Sequence, residues 1–171
     1  QFFYRITVKG EPDQYRGPLL IVCNHPNHML DPFLLSRTFG RPLFFLAKST
    51  LFKNQFISFL LKACHLIPVY RRQDASGEMW KNTETFAVAS ALLGSGKALA
   101  IFPEGTRINN GSLGTPKRGV GRLALQSGKP IVPIAVTGSE RARDGWRIKP
   151  VKVHVRCGPP LTFPRVDDPS P

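Results

Sequence analysis

No run in this chain is apolar for long enough to cross a bilayer. A spanning helix needs about 18–20 consecutive apolar residues; the longest candidates here, Leu19 to Cys23 and Phe56 to Leu61, have strand or short-helix length. Cysteine is also scarce. Cys23, Cys64 and Cys157 are odd in number, far apart and set in apolar or strand-like sequence. No CxxC pair occurs, which argues against a disulfide framework or a zinc site and leads us to expect buried, reduced thiols in an intracellular compartment. Ser36, Ser90, Ser95 and Cys64 lack the strand–turn–helix glycine context of a nucleophile elbow, so covalent catalysis has no support. There is no internal repeat and no low-complexity segment. The chain also lacks an initiator Met and opens on a strand-like segment, as expected of an excised or trimmed piece, which leaves room for an anchor or targeting segment ahead of it.

Acidic residues are few. The chain carries 11 of them against 24 basic ones, a net charge of +13. Such an excess favours anionic partners: nucleic acid, anionic lipid or phosphorylated metabolites. The basic residues are scattered, with small clusters at Arg71-Arg72, Lys117-Arg118, Arg141 to Arg147 and Lys149 to Arg156. None forms the solid block of a nucleic-acid tail. Near an anionic bilayer each Lys or Arg contributes about 1 kcal/mol, so a few facing one way hold a domain at a membrane. A solvated soluble surface explains the same charge.

The 171 residues suffice for one domain with a sizeable core, and the 42% hydrophobic and 20% charged content is that of an ordinary globular domain. Phe2 to Val8 reads as an edge strand and Leu19 to Cys23 as a buried parallel one. Asp31-Pro32 opens a helix, with Asp31 as N-cap, that stops at Gly40. Leu43 to Ala47 is a second buried strand, Leu51 to Ala63 a helix with one greasy face, and Leu66 to Tyr70 a third strand. A long helix over Glu78 to Leu93, a strand over Ala98 to Phe102, a loop over Asn109 to Thr115 and a short helix over Val120 to Ser127 follow. Ile131 to Val136 and Val151 to Arg156 are the last strands. The order predicts a single α/β domain over residues 1–158: a mostly parallel central sheet with helices on both faces. Residues 159–171 form a proline-rich C-terminal tail expected to peel away.

In such folds ligand groups collect beyond the carboxyl ends of the strands, where two segments of this chain lie. The first is Asn24-His25-Pro26-Asn27-His28-Met29-Leu30-Asp31. An imidazole accepts a proton near neutral pH, and a carboxylate on its other nitrogen fixes the tautomer and stabilises the imidazolium. Taken alone, His25 equally fits a histidine that satisfies backbone groups, and Asp31 a plain cap. His25, His28 and Asp31 are spaced for a metal on a helix face, but Pro26 breaks the helix and no fourth ligand is evident, so no metal is expected. The second segment is Phe102-Pro103-Glu104-Gly105-Thr106-Arg107. Gly105 permits a tight turn and close approach of backbone N–H groups to an anion, and Arg107 can grip a phosphate through two hydrogen bonds. Glu104 can orient Arg107 or accept a substrate hydroxyl; a surface turn with an ion pair is the bland alternative.

With these segments in place, the chain resembles the glycerophospholipid acyltransferases of the 1-acylglycerol-3-phosphate acyltransferase type. Four ordered segments carry the resemblance: Asn24-His25 with Asp31, Leu66 to Arg71, Phe102 to Arg107, and Ile131 to Val136 with its central Pro133. Lys117 and Gly119 fall where the family often has Lys-x-Gly. The common pattern places four residues between His and Asp, and this chain has five. We read a one-residue bulge, which leaves His28 as an alternative partner for Asp31. His25 is preferred because it follows Asn24 at the strand end.

The resemblance implies that His25, oriented by Asp31, deprotonates the hydroxyl of a glycerol phosphate or lysophospholipid. The alkoxide then attacks the thioester of acyl-CoA or acyl-carrier protein with no acyl-enzyme. The implied substrate-binding set is Asn24, Arg71, Glu104, Gly105, Thr106, Arg107 and Lys117. It needs no cofactor beyond the thioester co-substrate and no metal. The implied setting is an anionic membrane surface on the cytoplasmic face, with no role for nucleic acid. A non-catalytic module for anionic lipid or nucleic acid, or an acyltransferase with another acceptor, is the alternative.

Overall fold

The computed structural model describes residues 4–12, 15–27, 30–70, 81–108, 110–144, 147–167 and 169. Arg71 and His28, both named above, lie outside them.

Seven strands form one sheet: β1 (Tyr4–Lys9), β2 (Leu19–Cys23), β3 (Leu43–Lys48), β4 (Leu66–Val69), β5 (Ala98–Ile101), β6 (Ile131–Thr137) and β9 (Val151–Cys157), in the order β1-β9-β6-β2-β5-β3-β4. Every adjacent pair is parallel except β6 with β9. The outward alternation along β9 fits that position, since Val153 and Val155 are buried while Lys152, His154 and Arg156 are exposed. The short antiparallel pair β7 (Arg143–Asp144) and β8 (Arg147–Ile148) gave no periodic signal in the sequence.

The sheet is covered on both faces, as the unbroken apolar strands β2 and β5 require. On one face Leu34, Leu35 and Phe39 of α1 (Leu30–Phe39) pack against Leu19, Ile21 and Cys23 of β2 and Val132, Ile134 and Val136 of β6. On the other, Leu20 and Leu99 meet Ala89 and Leu93 of α3 (Lys81–Gly94) and Leu123 and Ala124 of α4 (Arg118–Ser127). Gly40 stops α1 in the left-handed conformation at φ 57°.

Three expectations are corrected. The helix expected over Leu51 to Ala63 is divided into a 3₁₀ turn (Ser49–Phe52) and α2 (Gln55–Ala63), because Asn54 caps a new start by accepting hydrogen bonds from the Phe56 and Ile57 amides. The tail does not peel away at its start. Leu161 exchanges both backbone hydrogen bonds with Ile131, at 2.8 Å each, and the Val166 amide donates to the Leu125 carbonyl. Cys64, expected to be buried, is exposed at the C-cap of α2, whereas Cys23 is buried.

Candidate active site

His25 and Asp31 are brought together. The His25 Nδ1 lies 2.9 Å from Asp31 Oδ2. Asp31 is fully buried, and its carboxylate has two further partners: the Asn27 amide donates to Oδ2 at 2.6 Å and the Ser139 hydroxyl to Oδ1 at 2.7 Å. The five-residue gap is thus compatible with the pairing: the chain bends at Pro26-Asn27, and the Asn27 amide meets the Asp31 carboxylate. Asp31 does not act as a helix cap. That contact comes from Asn27, whose Oδ1 faces the Leu30 amide at 3.4 Å.

This arrangement sets the imidazole chemistry. A carboxylate at Nδ1 favours the tautomer protonated there, which leaves Nε2 as the proton acceptor. The His25 ring also stacks on Phe102, with centroids 4.0 Å apart and planes at 16°. The side chain is 14% exposed, so solvent and small ligands reach one part of the ring only. Carboxylate and aromatic face together fix the ring in position.

Asn24 serves the scaffold. Its carboxamide bridges the backbone of Val136, donating to the carbonyl at 2.8 Å and accepting from the amide at 2.7 Å. Asn27 repeats the device one turn later by donating to the Ser139 carbonyl at 2.8 Å. These bonds tie the ends of β2 and β6 together.

The second segment lies beside the first, because the Ile108 amide donates to the His25 carbonyl at 3.1 Å. Gly105 sits at φ 63°, and its amide donates to the Phe102 carbonyl at 3.1 Å, so that donor is turned inward rather than offered to an anion. Glu104 is buried. Its Oε1 accepts from the Gly114 amide at 2.8 Å, and its Oε2 has no partner among the described residues. Glu104 therefore anchors the loop that returns from Arg107 to Lys117, and it forms no ion pair with Arg107. The structure thus shows Glu104 holding this loop. Thr106, Arg107 and Lys117 are exposed. The stem of Lys117 passes over Gly105, and its amide donates to the Pro103 carbonyl at 2.7 Å. A cavity of about 440 Å³ lies against the same strand ends, lined by Val22, Glu104, Leu113, Pro116, Pro133 and Ala135 among others.

Ser139, Asn27 and Phe102 are the site residues that sequence reasoning missed. Ser139 follows Gly138 and opens a single 3₁₀ turn (Ser139–Ala142), too short to carry a periodic signal. Phe102 was read only as the start of the second segment, although a ring at a strand end next to a candidate base was a usable clue.

Cys23 immediately precedes the Asn24-His25 pair. Burial, with the Asp31 and Glu104 carboxylates and Cys157 nearby, pushes its thiol well above the ordinary range, and burial also raises Cys157. A raised thiol is less ionised at any pH below its pKa, so Cys23 cannot serve as a nucleophile near neutrality. Iodoacetamide is expected to label Cys64 at least about tenfold faster than Cys23 in the folded chain, and both alike once it unfolds. Peptide mapping by mass spectrometry reads the ratio; equal labelling of the folded chain refutes the inert Cys23.

A family model described as Acyltransferase matches residues 5–137. A probable 1-acyl-sn-glycerol-3-phosphate acyltransferase of Mycoplasma genitalium is 32% identical over 129 residues, covering 72% of this chain and 46% of that protein. The 1-acyl-sn-glycerol-3-phosphate acyltransferase of Cocos nucifera is 29% identical over 159 residues, covering 91% of this chain and 49% of its own length. The chain thus spans about half the length of the curated relatives it matches. In fold it is similar to the crystal structure of the 1-acyl-sn-glycerophosphate (LPA) acyltransferase PlsC from Thermotoga maritima. That similarity has a TM-score of 0.70 at 21% identity and covers 94% of this chain and 62% of that one.

Proposed function

Because this chain belongs to the acyltransferase family, we propose that it moves a fatty acyl group from a thioester to the hydroxyl of a lysophosphatidic acid or glycerol phosphate. The observation that carries the reading is the 2.9 Å contact between His25 and a fully buried Asp31. A module that only holds a phosphate has no need of an oriented imidazole. His25 Nε2 takes the proton from the acceptor hydroxyl while Asp31 stabilises the imidazolium. The oxygen attacks the thioester carbon, the C–S bond breaks, and the proton passes from His25 to the departing thiolate. Acyl-CoA and acyl-carrier protein both supply such a donor. The exposed Arg107 and Lys117, carried by the loop next to His25, form the cationic side that meets the acceptor phosphate. Arg71 belongs to the same proposed set through its place in the sequence. The +13 charge suits an anionic membrane on the cytoplasmic face.

The test is thiol release from acyl-CoA against glycerol-3-phosphate, lysophosphatidic acid and other lysophospholipids. Lysophosphatidic acid is expected to stimulate release, and His25→Ala to lower it by about 10²- to 10⁴-fold. Undiminished release by His25→Ala removes that residue from the chemistry. If no acceptor stimulates release and vesicles still bind, the chain is a lipid-binding module.

A further inference from the structure

Helix α2 buries none of its nine residues. Phe56, Phe59, Leu60 and Ala63 nevertheless recur at i, i+3, i+4 and i+7 and make one continuous stripe, which the exposed Ile57 widens. Phe56 is 71% and Phe59 69% exposed. Ser58 and Leu61, on the other side, are the half-buried positions, so the helix turns its less apolar side to the protein and its stripe outward. Leu51, in the 3₁₀ turn just before it, is exposed as well. A soluble surface rarely shows aromatic and aliphatic side chains gathered in this way without a partner.

The charge around the stripe identifies the partner. No Asp or Glu occurs between Asp31 and Asp74, while Lys48, Lys53 and Lys62 flank the stripe. An apolar face with a border of one sign complements a layer that is apolar within and negative at its surface, and lysine stems reach past apolar contacts to place their ammonium groups among phosphates. The position agrees. The turn and α2 begin just beyond the carboxyl end of β3, the end of the sheet at which His25 follows β2 and Phe102 follows β5. Phe45 of β3 stacks on Phe102 at 6.4 Å, which links this part of the fold directly to the ring beneath His25.

We propose that α2 is an interfacial anchor: Phe56, Phe59 and Leu60 enter the headgroup–acyl boundary of an anionic bilayer, with Lys53 and Lys62 on its phosphates. The anchor sets the strand-end face towards the lipid. Its purpose rests on the lipid-acceptor reading given above, but its test needs no turnover.

The test is cosedimentation of the full chain with vesicles of equal parts phosphatidylcholine and phosphatidylglycerol, against phosphatidylcholine alone. The wild type is expected to favour the anionic vesicles. The double variant Phe56→Ser/Phe59→Ser is expected to lose at least about tenfold in partitioning. Lys53→Gln/Lys62→Gln is expected to lose about fivefold per charge and to show a weaker salt dependence. Both variants are expected to keep the wild-type melting temperature and wild-type thiol release with detergent-dispersed acceptor. Undiminished vesicle binding by the phenylalanine variant overturns the proposal. So does a lower melting temperature or a smaller assembly in that variant, since either shows the stripe covered by another segment of the chain or by a second copy. If vesicle binding falls as expected while no acceptor supports thiol release, the anchor stands and the acyltransferase reading fails.

Discussion

Replacing Asp31 by Asn is expected to leave the chain folded and to lower turnover by about 10²- to 10⁴-fold. The three bonds to Asp31 explain both halves of that expectation. The introduced carboxamide can turn its nitrogen to Ser139, whose hydroxyl rotates to accept, while its oxygen still receives the His25 and Asn27 donors. The ring stays in place and in the same tautomer, and only the charge that stabilises the imidazolium is lost. Asp31→Ala is a different experiment. It strands the Asn27 amide and the buried Ser139 hydroxyl together with His25 Nδ1, at about 1–3 kcal/mol each, a large share of the 5–15 kcal/mol that holds a domain of this kind together. Thermal melts and thiol release on the two variants separate the effects. Wild-type turnover in a folded Asp31→Asn removes the pair from the mechanism.

Gly138→Ala is expected to destabilise the fold by about 2–6 kcal/mol and to abolish most activity with it. Gly138 sits at φ 92°, where side chains are strained, and an added Cβ would collide with the backbone carbonyl of Lys152 in β9. The next residue is Ser139, so any shift that relieves the collision pulls the hydroxyl off Asp31. Gly40→Ala is the control. It also has a left-handed conformation, at φ 57°, but opens on free space, so only the conformational cost of about 1 kcal/mol applies. Equal urea midpoints for the two variants would contradict the role of close β9 packing.

Much of this was legible because the strands are short, apolar and stopped by polar or glycine signals. β2 was read to the residue, and Gly40 marked the end of α1. The pairing of His25 with Asp31 was legible as chemistry but not as geometry, since one-residue differences in a turn leave no periodic trace. Ser139 lay beyond reach, because a serine more than a hundred residues away becomes a partner of Asp31 only once β2 and β6 are set side by side. The tail was misread for a related reason. Its prolines signalled irregular chain, yet Leu161 still pairs with Ile131, at the start of β6 that β9 leaves unpaired, so the contact is set by the sheet rather than by local preference. The outward stripe of α2 was seen as a greasy face, and only its mounting on the fold revealed which way it points.

The two asparagine ties have a consequence for how the site comes into being. Asn24 reaches Val136 and Asn27 reaches Ser139, and both partners lie 112 residues further along the chain. During synthesis the His25 segment leaves the ribosome long before the strand that will hold it. Until β6 docks, the Asp31 carboxylate lacks its Ser139 donor and the turn at Pro26-Asn27 lacks its distant support. Contacts at such separation form late and slowly, after the loop-closure cost has been met. The histidine is therefore loose and inactive at least until Ile131–Thr137 has been made, and the base is completed in the same event that closes the centre of the sheet.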